Sequence, residues 1–204
     1  VLFRSLDNPG RMNYSVANSS FDTWLDGYVP GIPGRKVSIY TEGCLLALAT
    51  DILLLKNSLG KTGLDTVMRK LYEDVAQQGK GVDENTYWNY LQTFGGDEVK
   101  QLKELYFYGT NDYTSLLQGV LDLVGLKLEV VPSARISASL IGIKYIPNGA
   151  NAIVKNIFPQ SPADLSGLML EDEIIAINSL LLGGELDKWI TYFKEDKIVL
   201  TVQR

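Results

Sequence analysis

Histidine is absent from this chain of 204 residues. That single lack removes the usual general base, the usual zinc ligand and every Ser–His or Cys–His nucleophilic pair. Cysteine occurs once, at Cys44, so no internal disulfide can form. Its place in an apolar run reads as a small, buried and inert hydrophobe rather than a nucleophile. Positive charge is the scarcer sign: 19 Lys and Arg stand against 24 Asp and Glu, a net charge of −5. No Lys or Arg run forms a basic stripe, so nucleic acid is not expected as a partner. Long hydrophobic runs are also missing. The longest, Cys44 to Leu55, is broken by Thr50 and Asp51 and falls short of the roughly 20 residues that span a bilayer. It reads as a buried helix, with no membrane span expected. Val1 is preceded by neither an initiator Met nor a signal-like segment, which suggests a fragment of something longer or a trimmed mature form.

What is present is the composition of a globular chain, 46% hydrophobic and 21% charged. The turn-forming segments Asp7-Asn8-Pro9-Gly10, Pro30-Gly31 and Pro33-Gly34 surround a short apolar segment, Phe21, Trp24, Leu25 and Tyr28, predicted as one short helix capped by Ser19 or Ser20. From Glu42 the apolar period becomes helical. Leu64, Val67, Met68, Leu71 and Val75 form one stripe. Tyr87, Tyr90, Leu91 and Phe94 form another, behind the N-cap candidate Asp83 and ahead of Gly95-Gly96. Val99, Leu102, Leu105 and Tyr106, then Leu116, Leu117, Val120, Leu121 and Val124 complete about five helices, the last ended by Gly125.

Near residue 126 the period changes from 3.6 to 2. Leu126, Leu128 and Val130 alternate with Lys127 and Glu129. Further strand-like runs are Ile141 to Ile146, Ala152 to Ile157, Glu173 to Ile177 and Lys197 to Val202, with helical pieces at Pro162 to Leu165 and about Glu185 to Phe193. The fold class expected is therefore multi-domain, α plus α+β: a helical domain over 1–125 and a small β-rich domain with two helices over 126–204.

The order Ser161-Pro162-Ala163-Asp164-Leu165-Ser166-Gly167-Leu168, then Glu171-Asp172-Glu173-Ile174-Ile175-Ala176-Ile177-Asn178 resembles the bacterial PDZ signature. The resemblance implies a small barrel or sandwich with a carboxylate-binding loop at Leu140-Ile141-Gly142-Ile143, where a Gly lets successive amides face one anion. A ligand peptide would add as a strand beside Ile143 to Ile146, its last side chain entering a pocket bordered by Leu186 and Ile190. The other use of such a fold is as an intramolecular packing unit, its groove empty or filled by its own chain. Glu171 and Ser179 stand where the family commonly has glycines at turns.

The helical region is similar to the C-terminal part of the catalytic domain in glycyl-aminopeptidase-like zinc metallopeptidases, bacterial enzymes that commonly end in a PDZ domain. The residues that carry this are Pro9-Gly10-Arg11, Ser15-Val16-Ala17 with Ser19-Ser20-Phe21-Asp22-Thr23-Trp24, Tyr40-Thr41-Glu42-Gly43 running into Leu45-Leu46-Ala47-Leu48, Asp51, and Asp65-Thr66-Val67-Met68-Arg69. The resemblance implies that the zinc and its His-Glu-x-x-His helix belong to a parent protein and would precede Val1, this chain itself holding no cofactor. It further implies that Tyr40 donates its phenolic hydrogen to the developing oxyanion in that parent, although Glu42 replaces the usual Lys of a Tyr-x-Lys-Gly motif. The expected partners are peptide or protein substrate termini. A catalytically dead relative, or a non-catalytic peptide-binding adaptor, explains the same residues. Of the other candidates, Asp51 reads as a polar-face or ion-paired residue. Glu98, Glu104 and Glu171-Asp172-Glu173 read as surface charge, and Tyr87, Trp88, Tyr90 and Phe94 as core.

Overall fold

The structure, a computed structural model, describes residues 6, 8–26, 34–35 and 37–204. Tyr28, the Pro30-Gly31 pair and Pro33 lie outside those residues. The chain divides into two compact units, Val1–Glu129 and Val130–Arg204.

The first unit is helical: α1 (Val16–Asp26), α2 (Ile39–Asn57), α3 (Leu64–Asp74), α4 (Glu84–Leu102) and α5 (Tyr113–Leu123). Short polar residues start most of these helices by accepting from amides that have no partner inside the helix. Ser38 accepts from Thr41 N, Asp83 from Thr86 N at 2.7 Å, and Asp112 from Thr114 N at 3.2 Å. At α1 the acceptor is Ser15, on Asn18 N, and not the predicted Ser19 or Ser20. Ser19 lies inside the helix and is buried, its hydroxyl accepting from Val37 N. Gly63 has no side chain to cap α3, so Asp51 reaches over from α2 and takes Leu64 N at 2.7 Å.

α2 is the central element, packing against α1, α3, α4 and α5. Leu45, Leu46, Ala49 and Leu53 enter one apolar cluster with Leu102, Leu117 and Val120. Leu54 enters a second with Val67, Leu71, Trp88, Leu91 and Val99. The aromatic group expected in the core is there: Trp88 is buried, with Phe107 edge-on at 5.0 Å. Cys44 departs from expectation, being exposed on the outer side of α2. Tyr40 and Leu48 lie four positions to either side of it, so all three share one outward stripe at helical spacing. α4 continues past the predicted stop at Gly95-Gly96, kinking at Gly96 (φ 60°, ψ −151°) before a π-helical turn at Lys103–Phe107. α5 ends as predicted at Gly125, in a left-handed conformation with Leu126 N bonded back to Leu121 O. The alternation at Leu126 to Val130 forms no strand. With no neighbouring strand to pair its backbone, a period of two is not sufficient to make one.

The second unit holds, among the described residues, a five-stranded antiparallel sheet: β1 (Ile143–Asn148), β2 (Asn151–Ile157), β3 (Glu173–Ile177), β4 (Leu180–Leu181) and β5 (Leu200–Gln203). β1 pairs with β2, β2 with β3, and β3 with both β4 and β5. Two helices pack on it, α6 (Pro162–Leu165) and α7 (Leu186–Tyr192). Ile143, Val154, Ile174, Ile177, Leu186 and Ile190 have no exposed surface and make the core. Glu171 and Ser179 sit at φ 68° and 66°, the left-handed region that glycine adopts at little cost. Asp172 corrects the expectation of surface charge: it is buried, accepting from Met169 N at 2.9 Å and from Arg204 Nε at 3.0 Å.

The kink in α4 depends on glycine, because φ 60° with ψ −151° is a backbone conformation open almost to glycine alone. Gly96→Ala is expected to lower stability by about 1–3 kcal/mol. Gly119→Ala, in the interior of α5 with open space at its Cβ, is expected to raise it by about 0.5–1 kcal/mol. Urea unfolding midpoints of the two variants beside the parent chain check the opposite signs.

Candidate functional site

In the helical unit the polar residues of interest gather around the first turn of α2. Tyr40, 66% exposed, stands at its second position on the outward stripe. Glu42, two residues on, points the other way and is 1% exposed. A helix places residues two apart about 200° around its axis, so the pair faces opposite sides of α2. Glu42 meets Tyr113 of α5, whose hydroxyl lies beside the carboxylate. Arg11 lies over the Tyr113 ring, 4.2 Å from guanidinium carbon to ring centroid. One Arg11 nitrogen, Nη1, reaches Asp112 Oδ1 at 3.5 Å and Leu6 O at 3.4 Å. Among the described residues Arg11 Nε and Nη2 and Glu42 Oε1 have no hydrogen-bond partner.

Burial pushes the Glu42 carboxyl up, with the Tyr113 hydrogen bond and the Arg11 charge pulling the other way. Burial, followed by the Glu42 charge, pushes the Tyr113 phenol well above its ordinary range. Tyr113 therefore remains a donor at any working pH. The cluster ties the 3₁₀ turn at Pro9–Met12, the first turn of α2 and the start of α5 to one another. Sequence reasoning noted Arg11 and Glu42 but had no signal for Tyr113 or Asp112, which are 71 and 70 positions beyond Glu42 in the chain. Among the described residues no three His, Cys, Asp or Glu side chains come together. The described residues therefore offer no zinc site.

In the sheet unit Ile141, Ile143, Leu186 and Ile190 of the expected groove enter one apolar cluster. Leu140 is partly exposed and Ile141 buried, at the end of a π-helical turn over Ser137–Ile141. Gly142 follows at φ 82°, packed so closely that a Cβ there would collide with Ser161. Its amide donates to Ser137 O and its carbonyl accepts from Phe158 N. Ile143, Leu186 and Ile190 face the core with no exposed surface. Behind the loop a cleft of about 570 Å³ has an apolar floor that includes Ile141, Ala163, Leu168 and Val202, with Lys194, Lys197 and Arg204 among its polar lining. No helix of the described residues is long and apolar enough to cross a membrane.

Residues 1–46 match the sequence model of the M61 glycyl aminopeptidase family. Arg11, Tyr40 and Glu42 all fall within the matched segment. No curated protein matches the chain. Among solved structures the chain is similar to the aminopeptidase N family protein from Idiomarina loihiensis, with a TM-score of 0.73 and 23% identity. The match covers 98% of this chain and 40% of that one. The chain is thus similar to aminopeptidases by sequence over its first 46 residues and by fold over nearly all of its length, and it spans 40% of the structure it matches.

The raised Glu42 carboxyl has a consequence for stability. The folded chain holds this proton more tightly than the unfolded chain, so the stabilisation is fully present below pH 4.5 and is lost as pH rises through the folded value. Glu42→Gln keeps an acceptor for Tyr113 without the buried charge. The variant is expected to gain on the parent chain as pH rises from 4.5 through the folded value and to hold that gain above it, read as the difference between their urea midpoints. A constant difference across that range would contradict the assignment.

Proposed function

We propose that this chain is the C-terminal portion of a zinc aminopeptidase of the glycyl-aminopeptidase type, made of a helical part of the catalytic domain followed by a PDZ domain that binds peptide termini. The single observation that carries the reading is the family match over residues 1–46, which contains Tyr40 and the Arg11 and Glu42 pair packed beneath it. The aminopeptidase N family fold over 98% of the chain agrees with it, as does the 40% share of that longer structure. In this reading the metal is held by residues outside the chain, and Tyr40 donates a hydrogen bond to the oxyanion that develops at the scissile carbonyl. Tyr40 is exposed in the first turn of a buried helix, which anchors its backbone. The PDZ assignment is supported by the order β1, β2, α6, β3, β4, α7, β5, by Gly142 at a positive φ ahead of β1, and by β1 lying at the sheet edge, where an extended peptide can pair. Alone, the chain binds peptide and cleaves nothing.

Zinc content and aminopeptidase activity on small N-terminal amino-acid reporters are to be measured for this chain and for the longest natural reading frame that contains it. Zinc and activity in the longer form and neither in the chain are expected, with Tyr40→Phe in the longer form lowering kcat about 10²–10³-fold at little change in KM. Absence of both from the longer form would overturn the peptidase reading and leave a non-catalytic peptide-binding adaptor.

A further inference from the structure

One carboxylate joins three walls of the proposed peptide groove. Asp187, in the first turn of α7, accepts the Ser137 amide at 2.9 Å and the Tyr145 hydroxyl at 3.1 Å. Ser137 opens the π-helical turn ahead of Gly142, and Tyr145 is the third residue of β1. The turn, the edge strand and the helix are therefore held together at a single side chain. Ser137 is itself buried, its hydroxyl without a hydrogen-bond partner among the described residues. The Tyr145 ring packs on the core that contains Ile143, Leu186 and Ile190.

The same arrangement closes what a peptide would use. The Gly142 amide, which would face a terminal carboxylate, is taken by Ser137 O. Leu186 and Ile190, which would border the side-chain pocket, have no exposed surface. β1 is nevertheless the outermost strand of the sheet, with no strand on its far side among the described residues. An edge strand beside an apolar wall and a glycine turn calls for one kind of partner: an extended peptide ending in an apolar residue and a free carboxylate.

We propose that Asp187 is a latch that holds the groove between β1 and α7 shut, and that such a peptide enters only when Tyr145 and Ser137 release it. The proposal rests on the peptide-binding reading above. Tyr145→Phe keeps the ring and its packing and removes one of the two bonds; Asp187→Ala removes both. Loss of a hydrogen bond to a charged group moves a closed-to-open equilibrium roughly tenfold or more.

The test uses the whole chain and a library of fluorescent peptides with random sequence, Val, Leu, Ile or Phe at the last position, and a free carboxylate. Tyr145→Phe is expected to bind its best peptides at least tenfold more tightly than the parent chain, and Asp187→Ala more tightly still. Lys188→Ala, on the exposed side of α7, is expected to match the parent. Hydrogen exchange of the Ser137 amide provides a second reading that needs no variant: protection in the free chain is expected to fall when peptide binds. Equal affinity in all four proteins, or a Ser137 amide still protected in the complex, overturns the latch and leaves the groove reading standing. Binding by none of them overturns the groove reading and the latch with it.

Discussion

Burial of α2 is the constraint on which the helical unit depends. Its inward side carries Leu45, Leu46, Ala49, Leu53 and Leu54, each with little or no exposed surface, and four other helices pack against it. Each such leucine contributes about 1.5–3 kcal/mol over an exposed position, so the helix that gathers most of them orders its neighbours. Polar groups on α2 are tolerated only where they find partners. Thr50 donates to Leu46 O at 2.7 Å within the helix, and Asp51 serves α3 as the cap that Gly63 cannot supply.

Glu42 is the exception that gives the site its character. A carboxyl at 1% exposure is costly unless compensated, and the compensation comes from elsewhere in the chain: a phenol from α5 and a guanidinium from the turn before α1. Breaking one member of such a buried set strands the others, which makes it a rigid joint rather than a source of net stability. Because Tyr40 is two residues away on the same turn, the joint holds the backbone that carries the exposed phenol. Under the role proposed for Tyr40, such support matters because a displacement of about 1 Å can cost 10²-fold in rate.

In the sheet unit the corresponding joint is Asp187, and strain sits elsewhere, at the turns. Gln160, Glu171, Asn178 and Ser179 all have positive φ without being glycine. Glu171 is held by Lys155, whose Nζ lies 2.7 Å from Oε2, and Asn178 Oδ1 accepts from Val199 N at 2.8 Å. These contacts maintain a backbone that glycine would adopt more readily. The unit therefore keeps its shape through specific polar contacts at its turns as well as through its apolar core.

Much of this architecture was legible in the chain itself. The helical stripes at Leu64 to Val75 and Leu116 to Val124, the cap at Asp83, the stop at Gly125 and the runs that became β1, β2, β3 and β5 all follow from local spacing. Local rules act over a few residues, and at these places nothing distant opposes them. The ordered motifs around Arg11 and Tyr40 were equally visible, and the family match spans them. Other features were decided only by the fold. Cys44 lies in an apolar run yet faces outward, because burial depends on which side of α2 meets its neighbours. The alternation at Leu126 to Val130 found no strand to pair with, and Asp172 became an interior acceptor because Arg204, 32 positions away, comes to it. The Glu42–Tyr113 and Asp187–Tyr145 contacts join residues 71 and 42 positions apart. Local sequence determined where most helices and strands form, whereas tertiary packing decided which polar side chains far apart in the chain meet, since that requires distant segments to be brought within hydrogen-bond reach.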